Sequence, residues 1–219
     1  MHPTPATRWT PGLVSATAWL MAALLILPTL AAAEPPPAAD APEPAPCRIL
    51  VAYHSLTGNT EAMAGAVAEG VRQVPGAVAV VKRVTKVTKA DLEAADGLIL
   101  GSPAYFADVA GRMKTAIDDW NWKMKVDFTN KVGGAFSTGG GQAGGKEHVL
   151  ISLLLFMINN RMVVAGPLYQ DAEGDDKWGE LGATAMTGPL DPGVGEKERD
   201  GARRLGRRIA RLATTMKAR

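Results

Sequence analysis

The chain has little cysteine and histidine, and its charges nearly balance. Cys47 is the single cysteine among 219 residues, so no internal disulfide can form. His54 and His148 stand far apart in the sequence, which excludes the close spacing typical of a histidine metal site. With 24 basic and 22 acidic residues, the net charge of +2 gives no reason to expect a nucleic-acid partner. The sequence therefore predicts no metal, no nucleic acid and no catalytic side chain.

Acidic residues are absent from residues 1–33. This region has one basic residue, Arg8, then an apolar run over 13–30 and three alanines at 31–33. A basic start, an apolar centre and small residues at the end are typical of a secretory signal peptide. We expect cleavage after the last alanine and export to the periplasm. Because an apolar stretch of about 18 to 20 residues can span a bilayer, the alternative is an uncleaved membrane anchor at 13–33 that keeps the protein near a membrane.

Large apolar side chains are missing from residues 34–46, which consist of alanine, proline, glutamate and aspartate. This composition favours an extended chain over a packed core, so we interpret the segment as a linker. The remaining residues, 47–219, have a length typical of one domain. We expect a single domain there.

Strand and helix patterns alternate along this domain. Apolar runs rich in β-branched residues predict strands at 49–53, 78–84, 98–100, 132–136 and 162–165. Apolar residues at helical spacing predict helices at 60–74, 89–95, 109–120, 146–160 and 196–216. Such alternation indicates an α/β fold in which helices cover both faces of a five-stranded parallel sheet. Ligands of such sheets bind at the carboxyl ends of the strands.

Small polar residues and a glycine follow the first predicted strand, where an amphipathic helix begins. Gly58 allows the tight turn that lets successive amides point into one concavity. The helix N-terminus favours an anion although the loop has no lysine or arginine. An ordinary helix cap would need only one such polar residue, and a Walker A loop would need a lysine. We predict a binding loop for a monophosphate, formed by Ser55, Leu56, Thr57, Gly58, Asn59 and Thr60.

Several segments together resemble a known family. The sequence Ser-Leu-Thr-Gly-Asn-Thr at 55–60 resembles the phosphate loop of flavodoxins. Other segments resemble the tryptophan-repressor-binding-protein (WrbA) family of flavodoxin-like NAD(P)H:quinone oxidoreductases, namely 65–70, 80–84, 101–103, 110–114, 139–147 and 182–184. The resemblance runs from Arg48 to the C-terminus and implies a flavodoxin-like three-layer sandwich with strand order 2-1-3-4-5. It also implies FMN as cofactor, NAD(P)H as co-substrate, a quinone or other small electron acceptor, and a homo-oligomer.

The loop after the third predicted strand contains Pro103, Ala104, Tyr105 and Phe106. The resemblance implies that its backbone amides line the polar edge of the isoalloxazine ring, with Tyr105 or Phe106 available to stack. From spacing alone, these aromatic side chains could equally pack against the next helix. Relatives carry Gly-Thr-Pro-Thr-Arg-Phe here, so Ala104 and Tyr105 depart from the family pattern.

A glycine-rich loop follows the fourth predicted strand. It contains a literal Gly-x-Gly-x-x-Gly sequence over 139–144, but a dinucleotide-binding motif belongs on the first strand of the fold. The polar residues that open the loop and the helix that follows favour a shaped loop over a flexible linker. The resemblance implies that it cradles the flavin through Ser137, Thr138, Gly139, Gly140, Gly141 and Gln142.

The resemblance also implies that two residues outside the loops contact the cofactor or the substrate. Asn160, at the end of the fourth helix, stands where relatives have a histidine that reaches the flavin from a neighbouring subunit, although asparagine is also a common helix cap. Trp122 matches a tryptophan near the quinone pocket of relatives, although Trp120 and Trp122 could simply be hydrophobic cover. We predict Asn160 as a cofactor contact and Trp122 as a substrate contact.

The leading interpretation is an exported, FMN-dependent NAD(P)H:quinone oxidoreductase. Since the flavin ring performs the redox step, such an enzyme needs no catalytic side chain. One alternative is a one-electron carrier of the flavodoxin type. Another is a non-catalytic exported binding module, because a fold alone does not decide function.

Overall fold

The computed structural model describes residues 45–170 and 176–218. The predicted signal peptide at 1–33 and most of the predicted linker lie outside these residues. Within the described ranges, no helix is both long and apolar enough to cross a bilayer. The first strand begins at Cys47, but the predicted domain limits stay a prediction.

Two sheets are formed by nine described strands: β1 (Cys47–Tyr53), β2 (Ala77–Arg83), β3 (Gly97–Tyr105), β4 (Asp108–Val109), β5 (Val132–Gly139), β6 (Val163–Val164), β7 (Leu168–Gln170), β8 (Asp176–Gly179) and β9 (Ala183–Met186). The central sheet has the order β2-β1-β3-β5-β6, with β9 also beside β5 and β4 beside β3. All of its pairings are parallel except that of β4. The predicted α/β fold is therefore confirmed, and its main strands have the flavodoxin-like order.

Helices cover both faces of the central sheet. Their bounds are α1 (Asn59–Arg72), α2 (Lys89–Glu93), α3 (Gly111–Trp122), α4 (Lys146–Asn159) and α5 (Glu196–Lys217). Apolar residues of α1 and α5 form one core with one face of the sheet, whereas those of α3 and α4 form a second core with the other face. The three-layer sandwich predicted by the resemblance is confirmed.

The central strands are apolar on both faces because each face packs on helices. In β1, Ile49 and Val51 belong to the core under α1 and α5, whereas Leu50 and Ala52 belong to the core under α3 and α4. All four are at most 1% exposed. The continuous apolar run in the sequence follows from this double burial.

Helices α1 and α5 approach each other closely at two glycines. A Cβ at Gly70 would lie 2.0 Å from the carbonyl oxygen of Arg203, and one at Gly206 would lie 2.0 Å from that of Val67. Any larger residue at either position would push the two helices apart. This contact fixes α1, whose N-terminus follows the predicted phosphate loop.

The third strand is longer than predicted. We expected it at 98–100 and a loop at 101–106, but β3 continues to Tyr105 and turns back into β4. The turn is made by Phe106 and Ala107, which have φ of 52° and 66°. Two consecutive residues in this left-handed region are typical of a tight hairpin turn, a conformation that their side chains gave no reason to expect.

The fifth strand is divided. Its first part, β6, matches the prediction at 162–165 and pairs with the start of β5. Its second part, β9, pairs with the end of β5 after an excursion that contains the β7 and β8 hairpin. The chain packs closely against β5 where it comes back to the central sheet. A Cβ at Gly182 would lie 2.2 Å from the carbonyl oxygen of Ala135. The single fifth strand that we predicted is therefore wrong in extent.

Candidate functional site

Three loops meet at the carboxyl edge of the sheet, after β1, β3 and β5. The strand registers place the ends of these neighbours side by side, with Pro103 of β3 opposite Thr138 of β5. The backbone amide of His54 donates to the carbonyl of Gly101 at 2.9 Å, which joins the first loop to β3. The structure thus brings together the three groups of predicted cofactor residues at 55–60, 103–106 and 137–142.

The phosphate loop, residues 55–60, leaves the first turn of α1 without a side-chain cap among the described contacts. Gly58 occupies the N-cap position with φ of 90°, a conformation that favours glycine. Its amide donates to Ser55 Oγ at 3.1 Å, and Asn59 Nδ2 donates to Thr57 Oγ1 at 3.4 Å. The loop therefore uses its side chains to hold its own shape, and the first amides of α1 stay available for an anion.

Two buried hydroxyls join the phosphate loop to the loop after β5. Thr60 Oγ1 and Thr138 Oγ1 lie 2.8 Å apart, and each residue is about 1% exposed. Beside them, Ser137 Oγ is buried and has no hydrogen-bond partner in the described part of the chain. Because buried hydroxyls are normally paired, Ser137 offers a free hydrogen-bonding group at this edge.

A carboxylate next to the phosphate loop is held away from it. Glu61, in the first turn of α1, accepts from Tyr53 Oη at 2.6 Å and from Arg83 Nη2 at 2.5 Å. The second guanidinium nitrogen of Arg83 donates to the carbonyl of Ser55 at 2.6 Å. Burial first, and then the hydrogen bond to Glu61 and its charge, raise the pKa of Tyr53 to about 12. The phenol therefore stays a donor at neutral pH, and the charge of Glu61 is offset.

The residues of the second loop, 103–106, differ in how far they are exposed to solvent. Pro103 is buried, Ala104 and Tyr105 are half-buried, and Phe106 is fully exposed at the hairpin tip. The ring of Tyr105 meets that of His54 edge to face, with 6.2 Å between centroids. Tyr105 is therefore partly held by packing, whereas the Phe106 side chain is accessible to a ligand.

Protonation of His54 is disfavoured in this setting. Burial, followed by the charges of Arg112 and Arg83, holds the pKa of His54 below its usual value. The imidazole is consequently neutral at physiological pH. The positive potential at this end of the sheet comes instead from the two arginines and from the N-terminus of α1.

The glycine loop, residues 139–145, is closed by a buried lysine. Lys146 is 3% exposed and its Nζ donates to the carbonyl of Gly141 and, at 3.4 Å, to that of Gln142. Gly145 packs against the hairpin turn, where a Cβ would lie 2.4 Å from Ala107 Cα. The loop is shaped, as the sequence predicted.

A distant carboxylate closes the same loop from its other side. Asp191 Oδ2 accepts from the amides of Gly141 and Gly188, each at 2.8 Å. These backbone hydrogen bonds hold the pKa of Asp191 below its usual range. The amide of Thr187 also donates to the carbonyl of Gly139 at 3.0 Å. Several polar groups of the glycine loop are therefore already in use.

Two predicted residues lie at the opposite edge of the sheet. Helix α4 starts beside the glycine loop and runs for about 21 Å, so Asn160 lies near the amino ends of the strands. There Asn160 Nδ2 donates to the carbonyl of Phe156 at 2.8 Å, and the next residue, Arg161, accepts from the amide of Asn130. Trp122 ends α3 in the same way and is 81% exposed. Within one chain, neither residue meets the three loops.

Sequence reasoning missed the groups that support the loops. The position of Arg83 could have been predicted, because Arg83 lies near the end of the strand predicted to pair with β1. The roles of Lys146 and Asp191 had none, since Asp191 is 50 residues from the amide that it accepts from.

The donors present at this edge fit the FMN that the sequence predicts. A phosphate needs uncapped amides and hydroxyls, which α1 and Ser55 supply, and it needs the nearby carboxylate of Glu61 to be neutralised, as Arg83 does. A ring with polar atoms along one edge can bind to backbone amides of the second and third loops, and Ser137 Oγ is a buried hydroxyl with no partner in the described residues. Gly58 and Gly141 also leave open space, since a Cβ there would meet no described atom within 4 Å.

Known proteins resemble the chain both in sequence and in fold. Residues 73–174 match the family described as NADPH-dependent FMN reductase. A protein of Gluconacetobacter diazotrophicus described as NAD(P)H dehydrogenase (quinone) is 36% identical over 200 residues, which cover 78% of this chain and 99% of the relative. A protein of Aquifex aeolicus described as flavodoxin is 37% identical over 163 residues, 74% of this chain and 85% of the relative.

Among solved structures, a flavodoxin, WrbA-like protein from Agrobacterium tumefaciens superposes with a TM-score of 0.60. The match covers 77% of this chain and 98% of that chain at 24% identity, so it supports the fold. An archaeal flavodoxin superposes with a TM-score of 0.59 at 21% identity and covers 76% of this chain and 99% of that one.

Proposed function

Because the chain belongs to the family of flavodoxin-like NAD(P)H dehydrogenases (quinone), we propose that it is an FMN-dependent oxidoreductase that passes two electrons from NAD(P)H to a quinone. The relatives that carry this description are 30% to 36% identical and align over 97% to 99% of their own length. The fold and the edge at which its loops meet are those of a flavodoxin-like protein.

One observation carries the cofactor assignment: the uncapped first turn of α1 follows a loop that holds itself together. The amides of Asn59 and Thr60 have no intrahelical partner, because the first amides of a helix never do. Ser55 Oγ accepts from Gly58, so its own hydrogen remains free to donate to a phosphate oxygen. These donors would hold the FMN phosphate.

The second and third loops would hold the flavin ring. Ala104 and Tyr105 are half-buried, Phe106 and Leu56 are exposed, and the buried hydroxyl of Ser137 has no partner in the described part of the chain. Bound FMN supplies the redox chemistry, since its ring accepts and releases the electrons. The three loops would hold and orient the ring, and a nicotinamide and a quinone would reach it in turn.

Two optical measurements test this function. Protein freed of cofactor should quench flavin fluorescence when FMN is added, and it should stay yellow after unbound FMN is removed. Anaerobic mixing with NADPH or NADH should then bleach the flavin, and a quinone should restore its colour. Protein that stays colourless with FMN would contradict the assignment and favour the binding module.

The similarity to a flavodoxin at 37% identity favours one further candidate, a one-electron carrier. A carrier would bind FMN with the same loops but would need a separate reductase. Flavin that neither nicotinamide cofactor bleaches would therefore favour the carrier over the enzyme.

For the protein's location, we propose export to the periplasm with cleavage after Ala33. The support is the sequence of residues 1–33, which has no acid, one arginine and an apolar centre. Intact mass of the protein recovered from the exporting cell tests this proposal. A mass that includes residues 1–33, in a membrane fraction, would favour the membrane anchor.

A homo-oligomer is proposed as well, with α4 at its interface. Ile151, Leu155 and Ile158 are 43% to 58% exposed and recur at helical spacing along one stripe. Asn160 follows this stripe. A second copy packed on the stripe would therefore lie close to Asn160, which the resemblance implies reaches the flavin of a neighbouring subunit. Light scattering on Leu155→Glu tests the interface: a smaller assembly than wild type is expected, and an unchanged mass would contradict it.

A further inference from the structure

A groove runs beside the candidate flavin site, between the segment after β2 and the outer face of α3. Its volume is about 380 Å³, and its polar side chains are those of Thr85, Arg112, Thr115 and Asp119. Its floor is apolar and includes the buried Trp120. A groove with an apolar floor and a few polar groups is the usual form of a small-molecule site.

The groove lies next to Arg83, a residue that contacts the phosphate loop. One wall starts at Val84, directly after Arg83, whose guanidinium donates to the carbonyl of Ser55 in that loop. The other wall is α3, whose start is held at the end of β3 by the hydrogen bond from the amide of Ala110 to Ser102 Oγ at 3.1 Å. A ligand that reaches over the flavin could therefore extend into this groove.

The groove carries one positive charge that is not offset. Asp119 is paired with Lys123 at 2.8 Å, and Arg83 is paired with Glu61. Arg112 is exposed and makes no ion pair among the described residues, although its charge is felt at His54. The hydroxyls of Thr85 and Thr115 stand with it on the lining, so the groove presents a guanidinium and two hydroxyl donors.

We propose that Arg112, assisted by Thr85 and Thr115, binds the 2′-phosphate of NADPH and makes the enzyme prefer NADPH to NADH. This inference rests on the proposed function, since it places the nicotinamide of the same molecule over the flavin. A guanidinium binds phosphate through two parallel hydrogen bonds, and hydroxyls complete the shell. NADH has a neutral hydroxyl at this position, so it gains little from Arg112, and the adenine of either cofactor can lie on the apolar floor.

Binding of a cofactor fragment tests the site without relying on flavin chemistry. In calorimetric titrations, wild-type protein should bind adenosine 2′,5′-bisphosphate about 10- to 100-fold more tightly than 5′-AMP, as expected for charged hydrogen bonds. Arg112→Gln should abolish that difference, and Arg112→Lys should restore part of it. Lys114→Gln is the matched control, because it removes a cation from the same helix but not from the groove lining.

Kinetics supply the second measurement. Arg112→Gln should raise KM for NADPH about 10- to 100-fold and KM for NADH far less. Equal binding of the two fragments by wild type would overturn the proposal, and so would a preference that survives Arg112→Gln or that Lys114→Gln removes equally. If Arg112 distinguishes the two fragments but neither NADPH nor NADH reduces the flavin, the proposed function is contradicted and the phosphate site at Arg112 is not.

Discussion

The phosphate loop and the glycine loop lie side by side, yet they use their backbone groups in opposite ways. In the phosphate loop, one glycine and the hydroxyl of Ser55 set the shape, and the first amides of α1 remain available. In the glycine loop, Lys146 donates to two backbone carbonyls, and Asp191 accepts a hydrogen bond from a backbone amide. A high glycine content therefore does not identify an anion site; what identifies it is which amides remain free.

A carboxylate placed in each loop gives the largest expected contrast. Thr57→Asp puts a negative charge beside the free amides of α1, where it would cap the helix and repel phosphate. We expect FMN affinity to fall by about 100-fold, roughly 2.7 kcal/mol. The matched variant is Gln142→Glu, an exposed position in the glycine loop, for which a loss below about tenfold is expected. Fluorescence titration with FMN measures both.

Equal losses in the two variants would contradict the difference between the loops. To separate a direct phosphate effect from a general one, the same titration can be run with riboflavin, which lacks the phosphate. Thr57→Asp should change riboflavin binding far less than FMN binding.

Removal of the buried lysine should affect stability more than cofactor binding. Lys146→Met removes the ammonium that donates to the carbonyls of Gly141 and Gln142, and a hydrogen bond to a charged group contributes about 1.5 to 3 kcal/mol. Urea denaturation should show a loss of that size in the free energy of unfolding. FMN affinity should fall less than in Thr57→Asp.

Lys114→Met is the control for lost charge, because the Lys114 side chain is 58% exposed and its ion pair within residues 45–170 and 176–218 is with Asp118 on its own helix. It should change the free energy of unfolding by less than about 1 kcal/mol. A Lys146→Met protein as stable as wild type would mean that the lysine does not close the loop.

The two loops should be energetically coupled through their shared hydroxyl contact. Thr60→Val and Thr138→Val each remove one partner of the 2.8 Å contact, and the double variant removes both. A double-mutant cycle on unfolding should give a coupling of about 0.5 to 1.5 kcal/mol. Additive effects would show that the loops are held independently.

Local features of this site were predictable, and long-range ones were not. The strand, turn and helix around Gly58 are encoded within a short segment, so its pattern predicted them. Thr60 and Thr138 are 78 residues apart in sequence, and their contact depends on the register of the sheet. The division of the fifth strand depends on how Gly182 packs against β5, which no local pattern reveals.

The places of Asn160 and Trp122 could have been inferred from direction alone. A helix that follows a parallel strand starts at the carboxyl edge and runs back to the amino edge, so the last residues of α3 and α4 must leave the site. In the homo-oligomer proposed above, a second copy of the chain would bring one of these residues to a flavin.

The smallest expected effect concerns Asp191, the second side chain that holds the glycine loop by hydrogen bonds. Its folded-state pKa is held down by the amides of Gly141 and Gly188. A depressed carboxyl pKa stabilises the fold above the unfolded value of about 4, and this contribution is lost as the pH falls through the folded value. Asp191→Asn should therefore melt a few degrees below wild type at pH 7, and the two proteins should converge as the pH drops below about 4.

Thermal melts across this pH range, at fixed ionic strength, measure the convergence. Glu147→Gln serves as the control, because it removes an exposed carboxylate beside the same loop, and it should lower the melting temperature at pH 7 less than Asp191→Asn does. A gap between wild type and Asp191→Asn that persists at a pH low enough to protonate Asp191 in the folded state would mean that Asp191 acts by packing and not by its charge. Lys146 would then be the side chain whose charge closes the glycine loop, and the electrostatic part of the contrast with the self-supporting phosphate loop would rest on it.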